Sequence, residues 1–240
     1  FPTTKGRYSL TNGLNDVQDK AIFGNKAEEW YPNVAARIFM TVSTFDIALS
    51  FFHGYNRFPA LDTLGTPYYY IMNQGGLEVT WVPGKPIFKL EAVYRNTRGL
   101  NNSSIPSVLV PDPYLAYVGG VEYTVVKFID NADLTLFLEY LGDSDVGTTT
   151  TDFRLFQNDV FLAVQFSLND VNSKVLQIGA TFDVEHPEEF FFLVKYDQRF
   201  EEDFTFSFRL DGVNARSGSR LNIFKEELRF RSNITYHFGS

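Results

Sequence analysis

The chain has no cysteine and only two methionines in 240 residues. Without a thiol there is no disulfide framework, no Cys-ligated zinc or iron–sulfur centre, and no thiol nucleophile. Long apolar runs are also missing, and none approaches the roughly 20 residues of a membrane-spanning helix. The opening FPTTKGRYSL lacks the basic start and apolar stretch of a signal peptide, so any targeting segment is expected to have been removed from the mature chain. Basic residues are outnumbered, 21 Lys and Arg against 29 Asp and Glu, for a net charge of -8. That balance argues against a general nucleic-acid binder, which needs concentrated Lys and Arg.

Recognisable catalytic machinery is absent as well. No GxSxG, HExxH or Walker-type sequence occurs, so no enzyme, resident metal or cofactor is expected. Of the three histidines, His53 is read as pointing outward near a loop, His186 as sitting in a turn, and His237 as lying near the end of the last strand. Each is expected to be interfacial or solvated. The loop acids Asp112, Asp143 and Asp145 lack the ligand spacing and glycine of an EF-hand loop.

What is abundant is phenylalanine, 25 residues, within an aromatic content of 17%. The rings follow a period of two, the signature of strands whose faces see different surroundings. In ADLTLFLEYLGD, Leu134, Leu136, Leu138 and Tyr140 alternate with Asp133, Thr135, Phe137 and Glu139. In EDFTFSFRLDG, Phe204, Phe206, Phe208 and Leu210 alternate with Thr205, Ser207, Arg209 and Asp211. In LRFRSNITYHF, Phe230, Ile234, Tyr236 and Phe238 alternate with Arg229, Arg231, Asn233, Thr235 and His237. The pattern recurs near 34–42, 46–55, 74–81, 87–95, 115–126, 159–168, 174–183 and 189–199, and no segment reads as a long amphipathic helix. Residues 1–33 read as a loop region, with a short helical turn at NKAEEWYPN and a possible first strand near GRYSLTN.

Short and long connections alternate down the chain. Tight polar turns at 42–44, 83–86, 130–131 and 169–172 are separated by long connections near 56–73, 96–114, 141–158 and 212–225, with His186-Pro187-Glu188 a short exception. Alternation alone does not say whether the apolar face meets a core or lipid, since a soluble sandwich or lipocalin-like barrel reads the same way. A soluble can around a central chromophore helix fits poorly, because no such helix and no X-Tyr-Gly triplet is found.

Three features favour lipid outside. Charges of both signs fall at strand centres on the polar face, as in a wet lumen: Glu78, Lys89, Glu91, Glu122, Glu139, Lys195, Arg199, Arg209, Arg229 and Arg231. The aromatics Trp81, Tyr94, Tyr123, Tyr196 and Tyr236 fall on the apolar face, as in interfacial girdles. The last strand ends on an aromatic, Phe238.

The ending ITYHF resembles the closing strand of Gram-negative outer-membrane β-barrels, and DIALSFFHGYNRFP, GGVEYTVV, LTLFLEYLGD and FQNDVFLAVQFSLND are similar in character to strands of porin-like barrels. In that family the aromatic is the final residue, so Gly239-Ser240 departs from the pattern and reads as a remnant. The resemblance implies an all-β, antiparallel, up-and-down transmembrane barrel over 34–238, with short periplasmic turns and long extracellular loops, in the outer membrane. Even strand number then requires a strand before residue 34. Either residues 6–12 supply it and make about twelve, or the chain is the C-terminal part of a larger barrel.

The expected function is passive diffusion of small polar solutes or ions, with a mainly acidic stretch of lumen opposing a mainly basic one. The alternative is a non-conducting barrel that docks envelope proteins through its loops. Phe137, Phe161 and Phe191 on the inward face would narrow such a lumen.

Overall fold

The computed structural model describes residues 21–62, 66–103, 105–144, 157–200, 203–217 and 227–238, with positions 219, 222 and 224. In chain order the strands are β1 (Ile22–Phe23), β2 (Val34–Val42), β3 (Phe45–Tyr55), β4 (Ala60–Leu61), β5 (Pro67–Tyr69), β6 (Ile71–Trp81), β7 (Pro86–Asn96), β8 (Tyr114–Ile129), β9 (Ala132–Asp143), β10 (Asn158–Ser167), β11 (Val175–Asp183), β12 (Phe190–Phe200), β13 (Phe204–Asn214) and β14 (Leu228–Tyr236). Helix among the described residues is 3-10 only, in turns at Glu28–Trp30 and Ser107–Leu109 and at positions 222 and 224.

The protein is all-β. Eleven strands form one antiparallel up-and-down sheet in the order β14-β13-β12-β11-β10-β9-β8-β7-β6-β3-β2. The order ends at β14 on one side and β2 on the other, and all nine residues of each are exposed. The predicted strand near residues 6–12 lies outside the described residues, as do Gly239-Ser240 and most of the connection near 141–158.

Tight turns join the strands where polar residues tolerate positive φ. Ser43 (φ 56) turns β2 into β3, Asp130 (φ 53) turns β8 into β9, and Asn169 (φ 52) opens the β10–β11 turn. Asn169 Nδ2 donates to the Asn131 carbonyl at 2.9 Å and to Asp133 Oδ2 at 2.8 Å, tying two of these turns together.

The chain divides into two compact units, 1–79 with 91–117 and 143–154, and 80–90 with 118–142 and 155–240. In the first, β1 pairs parallel with β5 and β4 pairs antiparallel with it, a small sheet that sequence periodicity did not foresee. Around it two connections pack together instead of standing free as long loops. Tyr55, Tyr69 and Ile71 form one buried cluster with Phe23, Tyr31 and Leu100 against it, and Ala60, Tyr68, Tyr70, Ile105 and Leu109 form another. Asn101 staples them, accepting the Ile71 N–H at 2.6 Å and donating to the carbonyls of Ile71 (3.1 Å) and Thr97 (3.2 Å). Gly54 (φ 156) leaves room for Asn33, whose Oδ1 accepts the Tyr55 N–H at 2.8 Å; a Cβ at Gly54 would sit 2.0 Å from that oxygen.

The second unit pairs in register from β9 to β14. Successive partners such as Leu138, Leu162, Ala180, Phe192 and Gly212 share one face, and Phe137, Ala163, Gly179, Leu193 and Asp211 share the other.

Candidate functional site: the polar face of the sheet

Because side chains alternate along a strand, charge at every second position is gathered onto one face by register alone. In the first unit Arg37 Nη2 reaches Glu78 Oε2 at 2.6 Å. Between their strands in the order lies β3, where the small Ser50 stands opposite Arg37. Arg95 donates from Nε to Gln74 Oε1 at 2.9 Å and from Nη1 to the Tyr114 hydroxyl at 2.6 Å. Glu91 shares the alternate positions of β7 with Arg95 and is exposed. Arg37, Gln74 and Tyr114 escaped the sequence reading of the site, since only pairing in space joins them to Glu78 and Arg95.

In the second unit Lys89 Nζ lies 2.9 Å from Glu122 Oε2, and Thr124 and Thr135 share a hydrogen bond of 3.0 Å. Glu139 packs its Cγ where a Cβ on Gly120 would stand. Lys195 pairs with Asp197 at 2.7 Å, and Asp197 also accepts the Ser207 hydroxyl at 2.8 Å. Arg209, Arg229 and Arg231 converge on Asp211, the one fully buried carboxylate (0% exposed) among the described residues. Arg199, opposite Thr205, bonds through its backbone N–H to the Asn172 carbonyl at 2.7 Å. Phe137, Phe161 and Phe191 interrupt this face with rings, and the Phe161 ring covers Gly179.

Toward the other end of these strands Asp159 and Asp183 stand directly opposite each other. Asp159 accepts the backbone N–H groups of Gln157 (2.8 Å) and Asn158 (3.1 Å), and Asp183 those of Glu185 (2.8 Å) and His186 (2.7 Å). Glu189 is paired with Arg216 at 3.1 Å. These carboxylates serve the turns, and among the described residues no group of three His, Cys, Asp or Glu is arranged to hold a metal ion.

The opposite face is apolar and open. In the first unit Ile38, Met40, Leu49 and Phe51 are exposed on it, and in the second Leu136, Leu138, Leu162, Ile178, Phe230 and Ile234. Ala180 stands among Leu138, Leu162 and Phe192 in a shallow apolar concavity of about 900 Å³. Trp81 stacks on Phe88 at 5.1 Å, and Tyr236 packs between Phe204 (4.8 Å) and Phe238 (4.5 Å). Tyr94 is exposed near the end of β7, and Tyr196 donates its hydroxyl to Gln198 at 2.8 Å. Tyr123 lies inside β8, because that strand continues to Ile129.

His53 is held more firmly than a solvated side chain: Nε2 lies 2.7 Å from the Tyr31 hydroxyl and Nδ1 2.7 Å from Asn73 Oδ1. His186 Nδ1 is 3.8 Å from Glu188, and His237 Nε2 is 3.1 Å from the Thr205 hydroxyl.

No known protein family matches the chain, no curated protein matches it, and no solved structure matches its fold. What points to a function is therefore the pattern of residues on the two faces.

Proposed function

We propose that this chain is an outer-membrane β-barrel that forms a passive, non-enzymatic diffusion pore for small polar solutes or ions, with the charges of its polar face setting selectivity. The observation that carries the reading is an inversion of burial across the sheet. Outside the aromatic clusters of the first unit and their neighbours Met72 and Tyr114, the buried hydrophobic residues among those described are only Ala48, Ala163 and Ala215. The polar-face residues Thr135 (7%), Ala163 (6%) and Asp211 (0%) are covered, while the apolar-face residues Leu138 (47%) and Ile178 (46%) are open. Fully burying a Leu or Ile side chain is worth about 1.5–3 kcal/mol. A sheet in water that leaves such residues half exposed forgoes roughly half of that at each position, and contiguous apolar surface of this kind marks an interaction face. Hydrocarbon recovers the loss.

Strand length supports the same reading. The eleven strands run from nine to sixteen residues, against a usual five or six in globular sheets, and a tilted membrane strand needs about nine to eleven. That no helix among the described residues is long and apolar enough to cross a membrane does not bear on crossing by strands.

Phe137, Phe161 and Phe191 on the polar face favour a second reading, a closed structural barrel that docks other envelope proteins. Single-channel recording in a planar bilayer separates the two. Discrete conductance steps from protein showing heat-modifiable migration on a detergent gel are expected, and a folded barrel without steps overturns the pore.

A further inference from the structure

The carboxylate of Asp211 is heavily engaged. Its Oδ1 accepts Arg209 Nε at 2.9 Å and Arg231 Nη2 at 3.0 Å, and its Oδ2 accepts Arg229 Nε at 2.8 Å, with Arg229 Nη2 in ion-pair contact at 2.8 Å. Three hydrogen bonds and one further ion-pair contact take up most of the roughly four lone-pair positions that a carboxylate offers. Three guanidinium charges against one carboxylate leave an excess of two positive charges. Neighbouring groups do not remove it: Lys195 stands directly opposite Arg209, which stands directly opposite Arg231, so three cations share one row across β12, β13 and β14. Like charges in directly opposed positions are unfavourable in a sheet. Asp197 is engaged by Lys195 and Ser207, and among the described residues Asp211 is the only acid bonded to the three arginines.

The geometry leaves the excess charge accessible. Each guanidinium carries five N–H donors and spends at most two on Asp211. Asp211 is fully covered, while the side chains of Arg209, Arg229 and Arg231 are 39%, 51% and 55% exposed. The carboxylate thus lies beneath and fixes the inner edges of three forks whose outer edges meet solvent on the polar face. Planar forks of this kind recognise oxyanions through paired hydrogen bonds. The adjoining positions on this face are Ser207 and Asn233 on one side, which offer hydrogen bonds, and Leu193 and Val213 on the other.

We infer that Arg209, Arg229 and Arg231, positioned by Asp211, form a binding site for a small oxyanion of the phosphate or phosphate-ester class, a solute whose double charge matches the excess. The inference deepens the pore reading by naming a solute class for the polar face.

The test is calorimetric titration of the full chain in detergent with inorganic phosphate at fixed ionic strength, chloride being the reference anion. Saturable phosphate binding is expected. Arg231→Gln, on the exposed strand β14, removes one charge-assisted contact and weakens binding about tenfold or more. Arg229→Gln, accepted on the same heat-modifiable migration as the parent, is the second variant should the first not fold. Phosphate heats no larger than those of chloride, or affinity unchanged in a folded variant, overturn the site. Bilayer recording keeps the two claims apart. Conductance steps without phosphate binding overturn the site and leave the pore, whereas phosphate binding without steps supports the site and overturns the pore.

Discussion

Ile178→Arg distinguishes a lipid-facing surface from a water-facing one at a single position. Ile178 is the fourth residue of the nine-residue β11, on the apolar face, directly opposite Val164 on β10 and Val194 on β12. Its side chain is 46% exposed, so an arginine has room to stand without overpacking the sheet. If water covers that face, the change is an ordinary surface substitution and costs within about 0.5 kcal/mol. If hydrocarbon covers it, an arginine near the middle of a membrane strand costs about 2–4 kcal/mol. The matched control is Gln165→Arg on the polar face of β10, where Gln165 lies opposite Thr135 and Gln177 and a charge is met by water and polar neighbours; it should cost under about 1 kcal/mol. Both are read from guanidinium unfolding in phospholipid vesicles followed by tryptophan fluorescence, as a shift in midpoint at constant slope. A difference between the two variants below about 1 kcal/mol would refute the assignment of lipid to the apolar face.

Two further outcomes follow from packing and from a turn. A Cβ added to Gly120 would lie 2.7 Å from Glu139 Cγ and 2.9 Å from the Leu138 carbonyl oxygen. Backbone cannot yield as a side-chain tip can, so Gly120→Ala should lower stability by about 1–3 kcal/mol in the same unfolding assay, and an unchanged midpoint would contradict the close β8–β9 approach. In the β10–β11 turn, the hydrogen bond from Lys174 at 2.9 Å holds the Asp170 carboxyl below its ordinary pKa, and Asp170 in turn raises that of Lys174. The lowered carboxyl contributes stability above about pH 4 that is lost as pH falls, and the raised amine contributes stability below about pH 10.4 that is lost as pH rises. Lys174→Met should therefore flatten the stability profile at both extremes, and superimposable wild-type and variant profiles would remove the pair from the balance.

Most of the large sheet was legible because it is written in a period of two. The run Phe204, Phe206, Phe208 fixes the face of β13, the turns at Ser43, Asp130 and Asn169 carry polar residues at positive φ, and strands read at 34–42 and 87–95 lie within a residue of β2 and β7. The small sheet was not legible. Ile22-Phe23 and Pro67-Tyr68-Tyr69 are too short to show a period, and their parallel pairing joins residues more than forty positions apart. Asp211 could be placed on the polar face by alternation. Its grip on three arginines needed the register that sets Arg209 beside Arg231 and Asp211 beside Arg229. The partners of His53 were hidden for the same reason: Tyr31 and Asn73 meet it only once the chain has turned.

The edges of the sheet add a condition that any pore must meet. A cycle of antiparallel neighbours closes only with an even number of strands, and the order here has eleven. Edge strands of proteins in water are usually blunted by lysine, proline, bulges or brevity. The nine residues of β2, VAARIFMTV, carry a single charge at Arg37 and none of those devices. A uniform, unbroken edge of that length suits a strand that is paired on both sides. A closure antiparallel throughout thus needs an odd number of additional strands between β14 and β2, whereas closure on eleven strands sets β14 parallel to β2. An antiparallel closure by a second copy of the chain fails on orientation. Keeping the apolar face outward while pairing β14 antiparallel to β14, and β2 to β2, would turn one copy upside down in the membrane. On the pore reading, an antiparallel seam is completed by strands that share one orientation with this chain, and a parallel one joins β14 to β2 directly.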